Sequence, residues 1–407
     1  MMANQVKSTK LITDAITGKL IDIKESPLEE VYKVYRKYFH IENNERIDIV
    51  LAVALSQKLE GIPIWLILVG ASGDMKSVQL NSLKTPDVFV LHNLTSKTLV
   101  NGYPDKIKFP DLAPELDRKI AIIPDMAQIL KLPPNEKAEL WGQLRDLYDG
   151  LAGKLSGQGS RARYSGLKVT LLAGSTPAID GQILVHQDLG TRELIYRTKG
   201  SIKKKEVMKK CFDNEEFELK ITQEIAEKTT DFLDEVYIIR EYIDEKILNE
   251  FMSIATYITY MRATAEFDQY TNDLRNEVYP EEPTRIAKQI KRLYVCLMNL
   301  SNDYPQDKAL RILWHIAKSS AFPLRVKIFD YLIKNPYKEF STNELSELLS
   351  VGRSTIKREC SVFWNLGIFQ CRKEVINSNN PDRTYDYWTL NPNNEFAKSM
   401  IKPQNSL

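Results

Sequence analysis

The octapeptide Gly70-Ala71-Ser72-Gly73-Asp74-Met75-Lys76-Ser77 concentrates more chemistry than any other stretch of this chain. It follows a continuous apolar run and precedes residues at helical spacing. Glycines in such a loop let backbone N–H groups turn toward a polyphosphate, and the start of a helix adds a partial positive charge. Lys76 would reach the β- and γ-phosphates of ATP, and Ser77 would hold Mg²⁺. The usual pattern, G-x-x-x-x-G-K-[ST], has glycine directly before the lysine, where this chain has Met75. A side chain there is expected to fit only if φ stays negative and the side chain turns away from the nucleotide. The plainer reading is a glycine turn that merely joins a strand to a helix.

A second group with matching chemistry follows. Asp125 comes just after the apolar run Ile120–Ile123, and an aspartate at a buried strand end can fix Mg²⁺ through its bound water. Pro124 interrupts that run, and Met126 stands where a catalytic glutamate is usual. Farther on, the run Val169–Ala173 leads to Ser175 and Thr176, polar groups able to position an attacking water. The segment Asp188–Arg197 carries Arg192 after a glycine turn, and a guanidinium there could stabilise charge developing on a γ-phosphate across a subunit interface. The competing reading of Arg192 is a surface or salt-bridge residue.

The elements that must position these groups alternate in type. Residues 1–25 read as an arm. Val31, Val34, Tyr35, Tyr38 and Phe39 recur at helical spacing after Pro27, and Ile47–Leu59 is a second helix ended by Gly61 and Pro63. Ile64–Val69, Val88–Leu91, Ile120–Ile123 and Val169–Ala173 read as strands, and Glu136–Tyr148 as a helix with Leu140, Leu144 and Leu147 on one face. Strands alternating with helices indicate a parallel α/β sheet. The lysine-rich stretch 199–220 is a charged connector or a solvated helix. From Ile221 to about Ser320 the pattern is helical, broken once at Pro280 and Pro283.

The order of loop, aspartate, helix, insert, polar strand end and arginine resembles the AAA+ P-loop ATPases over about residues 45–320. Within them it is most similar to the minichromosome-maintenance branch and to helicase-like AAA+ proteins of phages and other mobile elements. Three segments carry the likeness: the non-glycine residue before Lys76, the stretch GLAGKLSGQGSRARYSG (150–166), and Leu189-Gly190-Thr191-Arg192. The resemblance implies a pre-sensor-1 hairpin at 150–166, an arginine finger at Arg192, and a helical lid over PTRIAKQIKRLYVCL with Arg285 as the sensor-2 arginine. Met126 in place of an acid, and Ser175 or Thr176 in place of asparagine, depart from the family pattern and imply reduced or conditional hydrolysis. In the hairpin, Lys154, Arg161 and Arg163 sit beside Tyr164 between glycines. Such a loop either follows a phosphate backbone inside a ring or is a solvated basic turn.

The C-terminal stretch has its own pattern. Pro323–Asn335 reads as a helix. Ser341 with Glu344 three residues on forms a capping box for the next, and Ser350-Val351-Gly352 turns into a third, Arg353–Leu366. Two β-like runs follow, Ile368–Ile376 and Thr384–Leu390. Over residues 321–392 this resembles a winged helix-turn-helix. Arg353, Ser354, Thr355, Lys357 and Arg358 would meet a DNA groove, and Arg372, Lys373 and Arg383 would sit on the wing. The same unit could instead serve protein contacts.

The expected architecture is therefore α/β: an N-terminal arm and helix (1–44), an AAA+ parallel-sheet P-loop core (45–220), a helical lid (221–320) and a winged-helix domain (321–407). Net charge is only +2 over 407 residues, so any nucleic-acid site must come from local clustering of Lys and Arg. The four cysteines form no CxxC pair, which argues against zinc and fits a reducing cytosol. No apolar run is long enough to span a bilayer. The functional expectation is a DNA-dependent ATPase, acting as helicase or replication initiator of a mobile element. Its cofactors would be ATP and Mg²⁺, and its assembly a homo-oligomeric ring, possibly a hexamer. The alternative is a nucleotide-switched DNA-binding loader or regulator with little hydrolysis, and a third reading is a structural oligomer that uses ATP only to assemble.

Overall fold

The computed structural model describes residues 11–13, 20–22, 26–101, 103, 105–155, 161–181, 191–239, 242–268, 270, 274–377 and 380–401, with backbone alone for 11–13, 20–22, 376, 377 and 380–384. Strands β1 (Leu11–Thr13) and β2 (Leu20–Asp22) pair antiparallel. Helix α1 (Pro27–Tyr38) starts on its proline, and α2 (Glu45–Ser56) is apolar almost all round, as suits a helix enclosed by others. Strand β3 (Trp65–Val69) leads through the glycine loop to α3 (Lys76–Asn81), which is followed by β4 (Val88–Val90) and β5 (Lys119–Ile123). Helices α4 (Ala127–Leu130) and α5 (Pro134–Tyr148) precede the hairpin β6 (Leu151–Leu155) and β7 (Arg161–Ser165). Strands β8 (Val169–Ser175) and β9 (Leu194–Arg197) complete this part.

Five of these strands form one parallel sheet, in the order β4-β5-β8-β3-β9. Every residue of β3 and β8 is buried, which explains why β3 reads as an unbroken apolar run and β8, apolar at Val169 and Leu171–Ala173, does not alternate. Such a mixed α/β body with a five-stranded parallel sheet is consistent with a P-loop ATPase core. One face of the sheet packs Trp65, Ile67, Val69 and Leu171 against α5, whose Leu140, Leu144 and Leu147 line it as the spacing implied. The other face, with Leu66, Leu68 and Leu172, joins α1, α2 and the later helices in a single apolar core. Each buried Leu or Ile there contributes about 1.5–3 kcal/mol.

Beyond the sheet come α6 (Lys204–Asn214), α7 (Glu218–Glu235), α8 (Glu245–Arg262), α9 (Thr284–Met298) and α10 (Gln306–Ser320). The expectation of nearly continuous helix over 221–320 is corrected here. Residues 236–239 and 242–244 are not helical, and neither are the described residues between Ala263 and Pro283. The N-cap of α8 is Asp244, whose carboxylate accepts from Ile247 N, so the chain restarts the helix with a polar cap that hydrophobic spacing does not reveal. The lysine-rich helix α6 buries no side chain, matching its reading as a solvated helix.

Two buried ionic groups tie the layers together. Asp48 of α2 pairs with Lys308 at 2.6 Å and accepts from Tyr304 at 2.6 Å and from Tyr32. Burial raises its pKa, while Lys308 and the two hydroxyls act the other way. Arg262, wholly buried at the end of α8, donates to Ser320 O, Thr191 Oγ1 and Glu193 O, joining α8, α10 and the entry to β9. Its guanidinium satisfies three acceptors that would otherwise be stranded in the core.

The last unit holds α11 (Pro323–Lys334), β10 (Phe340–Ser341), α12 (Thr342–Leu349), α13 (Arg353–Asn365), β11 (Phe369–Asn377), β12 (Asn380–Leu390) and α14 (Glu395–Met400). The capping box forms: Glu344 N donates to Ser341 Oγ and Ser341 N to Glu344 Oε2. The three strands pair antiparallel in the order β10-β12-β11. Trp388 is buried, with its Nε1 on Thr342 Oγ1. No helix among the described residues is long and apolar enough to cross a membrane.

Candidate functional site

The glycine loop leaves the carboxyl end of β3, an interior strand between β8 and β9, and α3 begins at Lys76. Loops at the carboxyl ends of parallel strands form a crevice where ligands bind. Gly70 N donates to Ser175 O on the neighbouring strand, which fixes the start of the loop. Among the described residues, the backbone N–H groups of Ala71, Ser72, Gly73, Asp74 and Met75 donate to nothing in the chain. A run of unspent donors around one turn is the donor set an anionic polyphosphate needs. Because α3 has only six residues, the amides of the loop matter more here than any helix dipole.

Met75 corrects the expectation of a negative φ. Its φ is 67° and ψ 3°, the left-handed conformation that a glycine before the lysine would adopt. The loop therefore keeps its backbone path, and the methionine carries the strain of about 1–2 kcal/mol that a Cβ incurs there.

Lys76 is buried, and its ammonium donates to Gly70 O at 2.9 Å, Ala71 O at 2.6 Å and Asp74 Oδ1 at 2.7 Å. Asp74 also accepts from Thr198 Oγ1 at the end of β9 through its second oxygen. Arg46, at the start of α2, donates to Asp74 O at 2.6 Å and lies 3.6 Å from Asp74 Oδ2. Burial lowers the Arg46 pKa, and the adjacent Asp74 charge opposes that shift. Gln79 of α3 donates to Arg46 O, closing a clamp between α2 and the loop. Gly70 has no room for a side chain, because a Cβ would lie 1.9 Å from Thr198 Oγ1 and 2.1 Å from Asp74 Oδ2.

Asp125 and Thr176 follow the carboxyl ends of β5 and β8, on the same sheet edge as the loop, since β8 lies between β5 and β3. Asp125 is exposed, and its Oδ1 accepts from Ala127 N at 2.9 Å. Met126 is buried, with its N–H on Gly174 O. Thr176 is half-buried, and Ser175 lies wholly inside. Ser77 is exposed at the start of α3. The oxygens of Ser77 and Asp125 are hard donors of the kind Mg²⁺ takes, and two protein groups are the usual number when substrate phosphates and water fill the rest.

Arg192 and Arg285 come together elsewhere. Arg192 precedes β9, whose register against β3 pairs Leu194 with Leu66, so it lies at the opposite sheet edge from Lys76. Its Nη2 is 2.7 Å from Asp149 Oδ2 at the end of α5, and Gln289 of α9 donates to Arg192 O. Arg285 opens α9 and pairs with Glu281 at 3.2 Å. Tyr148, whose pKa burial raises, feels both guanidiniums. Neither arginine is placed to reach the loop of its own chain.

The basic residues divide. In the hairpin, Arg161 and Arg163 are exposed on one face, opposite Leu155 and Gly153, with no ion pair among the described residues. Lys154 projects from the other face and pairs with Glu139 at 2.8 Å, and Tyr164 OH donates to Asp111 at 2.8 Å. The tip, 156–160, lies outside the described residues, as do Leu189 and Gly190 and the side chain of Arg383. On α13, Arg353, Ser354, Thr355, Lys357 and Arg358 are all exposed. Lys357 reaches Asp386 at 3.2 Å, and Arg358 lies over the Phe267 ring. Arg372 is held by Glu339 at 2.8 Å and Glu374 at 3.3 Å, which raise its pKa; Lys373 is exposed beside it.

Sequence reasoning missed Arg46 and Thr198. Arg46 lies two dozen residues before the loop in a helix with no motif, and only the packing of α2 brings it there. The presence of Asp74 inside the loop was the available signal, because a carboxylate beside a phosphate-binding lysine calls for a counter-charge.

No protein-family model matches this chain, and no curated protein matches it. Among solved structures, a protein from Cytophaga hutchinsonii, provisionally assigned as an ATPase, is similar at 11% sequence identity and a TM-score of 0.43, covering 71% of this chain and 85% of that one.

Proposed function

We propose that the chain is a P-loop ATPase of AAA+ type that binds Mg-ATP at Gly70–Ser77 and acts on DNA. The observation that carries the first half is Lys76, buried at the base of a loop whose amides are unspent, at the carboxyl edge of a parallel sheet. When bound, Mg²⁺ would neutralise charge on the β- and γ-phosphates. Ser77 and Asp125 are the residues to hold it, and Thr176 to orient water. Hydrolysis moves a water oxygen onto the γ-phosphorus and breaks its bond to the β–γ bridging oxygen, with the water's proton passing to a base. Met126, a thioether, cannot be that base.

The second half rests on the exposed Arg161 and Arg163 and on the basic start of α13. Arg192 and Arg285, away from their own loop, would serve a neighbouring subunit's nucleotide in a ring. The division into arm, core, lid and winged helix, and the role as helicase or initiator of a mobile element, belong to the same proposal. The second reading is a nucleotide-switched loader or regulator, and the buried Met126 beside Asp125 favours it.

The test is ATP turnover with and without DNA. DNA-stimulated hydrolysis that disappears in Lys76→Ala supports the motor. Nucleotide binding without turnover moves the protein to the switch class, and absence of nucleotide binding removes both.

A further inference from the structure

Resting on the reading of Gly70–Ser77 as a nucleotide loop, we infer that Asp74 competes with phosphate for Lys76, and that Arg46 and Thr198 are positioning residues that hold Asp74 aside when nucleotide enters. An ammonium has three N–H donors. Those of Lys76 are all engaged: by Gly70 O at 2.9 Å, Ala71 O at 2.6 Å and Asp74 Oδ1 at 2.7 Å. A phosphate oxygen can bond to this lysine only by displacing one of them. The two carbonyls belong to the backbone of the loop, whereas Asp74 Oδ1 can be released by a side-chain rotation.

The other carboxylate oxygen already has partners to retain it. Thr198 Oγ1 donates to Asp74 Oδ2, and Arg46 Nη1 lies 3.6 Å from the same atom while donating to Asp74 O. Both Arg46 and Asp74 have side chains only 15% exposed, so water screens their charges weakly. A carboxylate beside a polyphosphate repels it, and Arg46 is the charge that offsets this. Among the described residues Arg46 Nη2 is buried without a partner, leaving a donor for Asp74 to take when it leaves Lys76. Gly70 completes the arrangement, since any Cβ there would occupy the space of the Thr198–Asp74 hydrogen bond.

The experiment is a double-mutant cycle on the full chain, read as the dissociation constant for Mg-ADP and Mg-ATPγS by calorimetry. Asp74→Asn removes the competing charge and should tighten binding about tenfold, the scale of one charge-assisted hydrogen bond. Arg46→Met should weaken binding about tenfold in the natural background, and less than about twofold when Asp74→Asn is also present. Arg46→Lys should restore most of the affinity. If Arg46→Met does not fold, Thr198→Val carries the same comparison. Equal losses from Arg46→Met in both backgrounds, or weaker binding in Asp74→Asn, would overturn the proposal while leaving the nucleotide site standing. A natural chain that binds neither ligand at millimolar concentration would instead overturn the nucleotide reading, and the competition with it.

Discussion

Arg192 and Asp149 form a 2.7 Å ion pair at the sheet edge opposite Lys76. For Arg192 to act on a nucleotide, the nucleotide must belong to another copy and the pair must open. Arg192→Ala is thus expected to lower turnover about a thousandfold, the scale of an arginine finger, while nucleotide affinity changes little. Mixing Arg192→Ala with Lys76→Ala chains should recover part of the activity, because some interfaces then combine an intact arginine with an intact lysine. No recovery on mixing would rule out action between subunits.

Met75 offers a stability test. Its left-handed backbone costs about 1–2 kcal/mol, and glycine's larger unfolded-state entropy returns about 0.5–1 kcal/mol of that. Met75→Gly should therefore stabilise the chain by about 0.5–1 kcal/mol in urea unfolding, with nucleotide affinity preserved. A destabilised variant would mean that the Met75 side chain contributes packing that outweighs the strain.

Gly174 lies where β8 passes the turn that carries Asp125. A Cβ on it would meet Pro124 O at 2.4 Å, and backbone cannot give way as a side-chain tip can. Gly174→Ala should displace Asp125 and reduce Mg²⁺-dependent turnover at least about tenfold, with a smaller effect on Mg²⁺-free nucleotide binding. Equal effects with and without Mg²⁺ would count against the metal role of Asp125.

His315 of α10 gives a pH dependence. Its Nε2 is 2.7 Å from Arg197 O, and a carbonyl only accepts, so Nε2 carries the proton of a neutral ring. Burial depresses the imidazole pKa below 6.5, and Lys199 pushes the same way against the hydrogen bond to Arg197. A histidine that is harder to protonate in the folded state than in the unfolded state stabilises the fold fully above the unfolded pKa. That contribution declines as pH falls through 6.5 toward the folded pKa. Between pH 7.5 and 5.5, the natural chain should lose more Tm than His315→Gln; equal losses would remove His315 from the account.

If the chain acts on DNA as proposed, Arg161 and Arg163 should contribute more to that binding than Lys154. The pair should contribute about two units to the salt slope of log affinity, one per phosphate contact. Replacing both with alanine should flatten the slope by that amount, whereas Lys154→Ala, whose partner is Glu139, should change it by less than half a unit, about. Equal slopes in the natural and doubly substituted chains would make the hairpin a solvated turn.

The parallel sheet was legible because strands buried on both faces leave nearly continuous apolar runs, as Leu66–Val69 and, but for Thr170, Val169–Ala173 do. The loop was legible because its residue types are tied to one backbone path, and Met75 keeps that path despite its Cβ. Two things were not. The long break after Arg262 carries ordinary residues whose backbone is held by distant partners, as when Asn365 accepts from Val278 N. Arg46, Thr198 and Asp149 act through proximity across 28, 124 and 43 residues, and no local pattern encodes such distances.

The joint between the helices after the sheet and the C-terminal unit has a mechanical meaning. Tyr257 of α8 touches the rings of Phe329 and Phe396, Arg325 donates to Ala263 O, and apolar side chains from both regions share one core. The C-terminal unit is thus mounted like a spoke on a hub, not trailed on a string. A tilt of α8 would therefore carry α11 and α14 with it, because Phe329 and Phe396 both pack on Tyr257.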